Sequence, residues 1–212
     1  MRQFDHIIWD WNGTIVDDTE LCLSILNGQL QLKGMEPLDL DTYRSRFKFP
    51  VSQFYKEIGF TMTQEDFEIE NLHFMKEYDK RRLKCTLHKN IKDVLQQFVD
   101  NGGTHSILSA YSEPHLLEMV TYFKINSYFT KIFGLDHIYA SSKTDKGLEL
   151  IGQLGIKKSR IVMVGDTTHD YEVATAMGIQ CFLIPKGHQS VELLSECKAV
   201  VLESHSELLS YL

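Results

Sequence analysis

Short apolar runs along this chain alternate with stretches whose apolar positions recur every three or four residues. Ile7-Ile8-Trp9 is a β-favouring run that closes on Asp10, with Gly13 just beyond, so it predicts a buried strand delivering a carboxylate to a tight turn. Over residues 18 to 33, Leu21, Cys22, Ile25, Leu26 and Leu30 share one helical face, with Asp18 and Thr19 as possible caps and Gly34 at the end. The pattern stays helical from Leu38 to about Arg82, in segments near 39–47, 51–58 and 63–82, and no strand pattern interrupts it. After Leu87 the rhythm changes. Ile91, Val94, Leu95 and Phe98 form a helical stripe ended by Gly102-Gly103, and His105-Ser-Ile-Leu-Ser109 supplies a second strand closing on a hydroxyl. A helix over 113–123, a strand over 131–134, a helix over 144–154 and the strand Arg160-Ile-Val-Met-Val-Gly-Asp166 follow. A helix over 170–177 and the strand Gln180-Cys-Phe-Leu-Ile184, stopped by Pro185, complete the series.

Alternating strand and helix predicts an α/β fold, a Rossmann-like, doubly wound parallel sheet covered on both faces. A lone opening strand cannot bury itself, so it must join that sheet. Residues 1–15 and 87–212 are therefore expected to form one α/β core domain, and residues 16–86 an inserted all-helical domain.

Composition narrows the choice of partner. The chain has 212 residues, 43% of them hydrophobic, enough for a sizeable core, and a net charge of −7 without a Lys/Arg run. That balance argues against nucleic acid or an anionic membrane as the main partner and for a small substrate. No apolar stretch approaches the roughly 20 residues needed to cross a bilayer, and a cytoplasmic protein, monomeric or a small homo-oligomer, is expected. Cys22, Cys85, Cys181 and Cys197 are scattered without zinc-like spacing and read as reduced thiols.

Three strands end in Asp10, Ser109 and Asp166, and parallel packing would bring those ends to one edge of the sheet. Asp170 follows Asp166 by about one helical turn, so both acids can face one point. Such carboxylates repel unless a cation sits among them, and hard oxygen ligands in a hydrated site suit Mg²⁺. Lys143, just ahead of the helix that precedes the fourth strand, could reach both the acids and a bound dianion, with Lys146 as its rival.

Asp10-x-Asn12-Gly13-Thr14, Ser109 after an apolar strand, Lys143 and Gly165-Asp166-x3-Asp170 together resemble the four ordered motifs of the haloacid dehalogenase superfamily, in its phosphoglycolate phosphatase-like branch. The helical insertion resembles that superfamily's C1-type cap. The resemblance implies a phosphatase of small phosphorylated metabolites in which Asp10 becomes an aspartyl-phosphate. It implies Mg²⁺ on Asp10, Asp166, the backbone carbonyl of Asn12 and Asp170. It also implies phosphate binding by Gly13, Thr14, Ser109, the Ala110 N–H and Lys143, and it favours Lys143 over Lys146. One position departs: Asn12 stands where the family's phosphatases carry an acid/base Asp, and an amide does not exchange a proton near neutral pH. Asn12→Asp is accordingly expected to raise the rate on alkyl esters, and a phosphate-binding or regulatory protein with little turnover is the competing function.

Arg44, Arg46 and Lys48, beside Phe47 and Phe49, form the locally basic patch of the insertion and are the candidates for substrate selection. Trp11 is expected to pack beside the nucleophile loop, and His169 to approach the acids. His188 is expected to start a helix.

Overall fold

The computed structural model describes residues 3–135 and 142–211; residues 1–2, 136–141 and 212 of the expected core range lie outside the described residues. The chain opens with β1 (His6–Trp9) and β2 (Val16–Asp17), then runs through four helices, α1 (Thr19–Leu32), α2 (Leu40–Arg46), α3 (Val51–Glu57) and α4 (Gln64–Arg81). After β3 (Thr86–Leu87) come α5 (Ile91–Asp100), β4 (Thr104–Ser112), α6 (Glu113–Tyr122) and β5 (Phe129–Leu135). The remainder is α7 (Lys143–Leu154), β6 (Ile161–Gly165), α8 (Thr168–Met177), β7 (Gln180–Leu183), α9 (Val191–Ser195) and β8 (Val200–Val201).

Six strands form one sheet in the order β5-β4-β1-β6-β7-β8, every neighbouring pair parallel. Because side chains alternate across a strand, the apolar runs fill both faces. Ile7, Trp9, Val162 and Val164 join the core under α5 and α6, while Ile8, Ile161 and Met163 join Leu150, Val173 and Met177 of α7 and α8 on the other face. From β1 the chain proceeds outward through β4 and β5 on one side and through β6, β7 and β8 on the other. The crevice at the carboxyl ends of β1 and β6 is thus the switch point where open α/β sheets bind ligands.

The helices between β2 and β3 share a separate core around Leu26, Leu30, Tyr43, Phe54 and Tyr55. Their α1–α4 boundaries follow the predicted helical periods, but the insertion's ends do not. Val16–Asp17 and Thr86–Leu87 pair antiparallel, making a two-stranded ribbon where the chain leaves and re-enters the sheet domain. β4 likewise overruns its expected end at Ser109, with a register irregularity against β5 between Leu108 and Ser112. α8 starts at Thr168 because Thr167 and Asp170 satisfy its first turn as a capping box. All four cysteines are free. No described helix is long and apolar enough to cross a membrane.

Candidate active site

β1 ends one residue before Asp10, whose N–H is tied to Val164 O of β6 at 2.9 Å, and β6 ends one residue before Asp166. Asp10, Asp166 and Asp170 each offer a buried carboxylate oxygen, all within 4.8 Å of one another. Lys143, the first residue of α7, donates to Asp10 Oδ1 and, at 2.6 Å, to Asp170 Oδ1. Lys146 is half-buried and does not line the cavity above the acids. Burial opposes the charge on Lys143, but Asp10 and Asp170 outweigh it and hold the amine cationic. Burial pushes the Asp10 carboxyl up to about 8, with Asp170 and Asp166 adding repulsion and Lys143 opposing. Asp166 is pushed up to about 6, again first by burial. Asp170 goes the other way, because Lys143 and the Thr167 hydroxyl outweigh its burial. The donor set is all hard oxygen and short of positive charge, which fits a divalent cation of the hard class.

Two glycines make room for Asp166. A Cβ on Gly13, whose φ is +73°, would lie 2.3 Å from Asp166 Oδ2, and one on Gly187 would lie 2.1 Å from the same oxygen. The Thr14 hydroxyl donates to Asp166 Oδ1 at 2.8 Å, and the His188 N–H donates to Oδ2 at 2.7 Å. The Gly13 N–H donates to Asp18 Oδ1 at 2.8 Å. Gly13 and Thr14 thus face supporting carboxylates and lie outside the cavity lining, whereas Ser109 and Ala110 line it. Ser109 Oγ accepts the Tyr111 N–H at 3.1 Å. Trp11 is fully buried, its ring 6.3 Å from that of Phe123.

Asn12 points its amide into a buried polar knot. Its Nδ2 donates to Asp18 Oδ2 at 2.6 Å and to the Tyr78 hydroxyl at 2.7 Å, and that hydroxyl donates to Asp18 Oδ2 at 2.7 Å. His188 belongs to the same knot rather than to a helix start; α9 begins at Val191, behind Ser190. Its Nε2 lies 3.3 Å from Asp18 Oδ1 and its Nδ1 2.9 Å from the Tyr43 hydroxyl. Burial disfavours the imidazolium, but Asp18 and then Asp166 raise His188 to about 9. Asp18, Tyr78 and His188 are the members that sequence reasoning missed. A buried-charge signal was present only for Asp18, an acid standing at the head of an apolar helical face.

The site opens into a cavity of about 1120 Å³ between the sheet edge and α2–α4. The expected basic patch does not reach it. Tyr43 and Phe47, one helical turn apart, face inward, which turns their charged neighbours away. Arg44 donates from Nε to Gly187 O at 2.8 Å and from Nη2 to Lys186 O at 3.0 Å. Lys48 pairs with Glu57, and Arg46 is exposed. His169 does line the cavity, with its ring 4.9 Å from that of Phe49.

Residues 7–184 match the family model described as haloacid dehalogenase-like hydrolase. A phosphoglycolate phosphatase of Synechococcus elongatus is 23% identical over 96% of this chain and 94% of its own length. One of Pectobacterium atrosepticum is 25% identical, over 58% of this chain and about half (54%) of its own length. Among solved structures, a haloacid dehalogenase-like family hydrolase from Streptococcus pneumoniae superposes with a TM-score of 0.83 at 19% identity, covering 100% of this chain and 99% of that one.

Proposed function

The chain belongs to the haloacid dehalogenase-like hydrolases, and from that membership we propose that it is a Mg²⁺-dependent phosphatase of small phosphorylated metabolites acting through Asp10. The observation that carries the reading is the meeting of Asp10, Asp166, Asp170 and Lys143 at the β1/β6 switch point. In this reading residues 1–15 and 87–212 are the catalytic core, and residues 16–86 are a cap hinged on the β2–β3 ribbon.

Asp10 attacks phosphorus as the ester P–O bond breaks, and water then attacks the aspartyl-phosphate, releasing phosphate and regenerating the carboxylate. Lys143 serves twice, orienting Asp10 and offering its ammonium to the transferring oxygens. Ser109 and the Ala110 N–H supply further donors where negative charge spreads. Asp10, Asp166, Asp170 and the backbone carbonyl of Asn12 would hold Mg²⁺, which when bound neutralises the phosphoryl dianion and the excess carboxylate charge. Thr14, His188 and the two glycines fix Asp166, and the Thr167 hydroxyl fixes Asp170. The cap excludes water from the first step.

The test is hydrolysis of a phosphate-ester panel, including acetyl phosphate, with and without Mg²⁺, for wild type and Asp10→Asn. Wild type is expected to turn over with Mg²⁺, and Asp10→Asn to lose at least about 10³-fold while remaining folded. Asp10→Asn activity above a few per cent of wild type removes Asp10 as the nucleophile. Mg²⁺-dependent phosphate binding without turnover of any ester points instead to the competing function as a binder.

A further inference from the structure

Resting on the phosphatase reading, we infer that the substrate is an aryl phosphate, a phosphate monoester of a phenolic oxygen whose ring system occupies the cavity beside Asp10. Two independent features of the site carry this. The first is the wall of the cavity. Phe47, Phe49, Leu72, Met75, Tyr78 and Tyr111 line it together with the catalytic Asp10 and Ser109. Phe49 and Leu72 keep 37% and 59% of their surface open to solvent, so apolar area is held ready rather than spent on the protein's own core. Phe47 and Phe49 stand edge to face at 5.5 Å, a geometry that extends naturally to a third ring. Arg44 and Lys48 are committed elsewhere, and of the two lysines on the cavity wall besides Lys143, Lys80 pairs with Glu77 and Lys76 is exposed to solvent. A two-carbon phosphate would fill a small fraction of about 1120 Å³ and leave those rings wet.

The second feature is the leaving-group side of the chemistry. Asn12 has no proton to give, and both of its amide hydrogens go to Asp18 and Tyr78. The Tyr78 hydroxyl is itself spent on Asp18, both ring nitrogens of His188 are engaged by Asp18 and Tyr43, and the other imidazoles lining the cavity, His169 and His115, turn Nδ1 to Glu172 at 3.2 Å and to Asp79 at 3.3 Å. An alkoxide leaves poorly without protonation, whereas a phenolate leaves unaided. The balance is complete without a general acid. As the Asp10–phosphorus bond forms, the ester P–O bond breaks with its electron pair on the phenolic oxygen, and the phenolate takes its proton from solvent. Water then cleaves the aspartyl-phosphate to phosphate and free Asp10.

Initial rates of the full chain with Mg²⁺ on acetyl, phenyl and 2-naphthyl phosphate, glycerol 3-phosphate and phosphoglycolate test this. Phenol and naphthol leave with similar ease, so their comparison isolates the cavity. The expected kcat/KM for naphthyl exceeds that for phenyl by about tenfold, from the added apolar burial. Phenyl in turn exceeds both alkyl esters by about 100-fold or more, from the missing proton donor. Phe49→Ala, exposed enough to fold normally, is expected to raise KM for the naphthyl ester more than for the phenyl ester. Alkyl esters processed as fast as phenyl phosphate, or naphthyl no better than phenyl, overturn the inference. If acetyl phosphate is hydrolysed while neither aryl ester is, the inference falls and the phosphatase stands; no turnover of any ester removes both.

Discussion

Asn12 is an amide because its neighbours require one. An aspartate there would set a second carboxylate where Nδ2 now lies 2.6 Å from Asp18 Oδ2, and would remove the hydrogen bond given to Tyr78. Asp18 cannot step aside, since it also accepts from Gly13 N and Tyr78 and faces His188. Any acid that Asn12→Asp supplies therefore comes with a cost in stability. Asn12→Asp alone should lose about 2 to 4 kcal/mol of stability through an uncompensated buried charge. Combining it with Asp18→Asn moves the charge rather than adding one, and should recover at least about 1 kcal/mol of that loss. Urea unfolding of the wild type and the three variants measures both; an Asn12→Asp protein as stable as wild type would sink the argument. Asp10, Ser109, Asp166 and Asp170 were legible because each ends an apolar run or opens a helix, and Lys143 because it precedes one. Tyr78 and His188 were not, because they reach Asp18 across 60 and 170 residues, and no local period encodes such a contact.

At the scale of elements, the sheet strands other than β8 and the helices α1–α8 were readable because burial imposes a period of two or of 3.6 on them. The two-residue strands β2, β3 and β8 are too short to carry a pattern, and they exist only through pairing. The loop from 185 to 190 was equally opaque, although it joins the two halves of the molecule. Ser190 N donates to Arg44 O at 3.1 Å, and Gln189 spans from Thr168 N at 2.6 Å to Phe47 O at 2.8 Å. Arg44 closes this seam from the other side through the carbonyls of Lys186 and Gly187. Arg44→Ala should cost only about 1 kcal/mol in global unfolding, since its partners become free to bind water. Locally the effect should be larger. Hydrogen exchange at the His188 and Ser190 amides is expected to accelerate about tenfold as the seam opens below the global barrier. Unchanged exchange at both amides would show that the helical block is held by its other contacts alone.

Across the whole molecule, buried histidines tie the sheet to its surroundings and make the fold sensitive to acid. His105 accepts from Trp9 Nε1 at 3.0 Å through Nδ1, so its Nε2 carries the hydrogen donated to Leu95 O at 3.0 Å, and the ring is neutral. Burial lowers it from 6.5 to about 4. His6, bonded to Thr104 and Ser106, is lowered to about 3 by burial and then by His105. His205, bonded to Thr14 O at 2.7 Å, is lowered to about 4, first by burial and then by His88. A depressed histidine contributes stability that is fully present above the unfolded value near 6.5. It is lost as pH falls towards the folded value, because only the unfolded chain takes up the proton. Asp10 and Asp166 oppose this trend, since carboxyls raised to about 8 and about 6 gain protons in the folded state over the same range. Raw stability against pH therefore mixes two signs, and a difference between two proteins separates them. His105→Gln keeps an acceptor for Trp9 and a donor for Leu95 but does not titrate. Between pH 7 and pH 5 the stability advantage of wild type over His105→Gln should shrink by about 2 kcal/mol, with the carboxyl contributions cancelling. Urea midpoints at pH 7, 6 and 5 for the two proteins measure it, and a gap that stays constant over that range would mean that His105 does not gate the acid response of the fold.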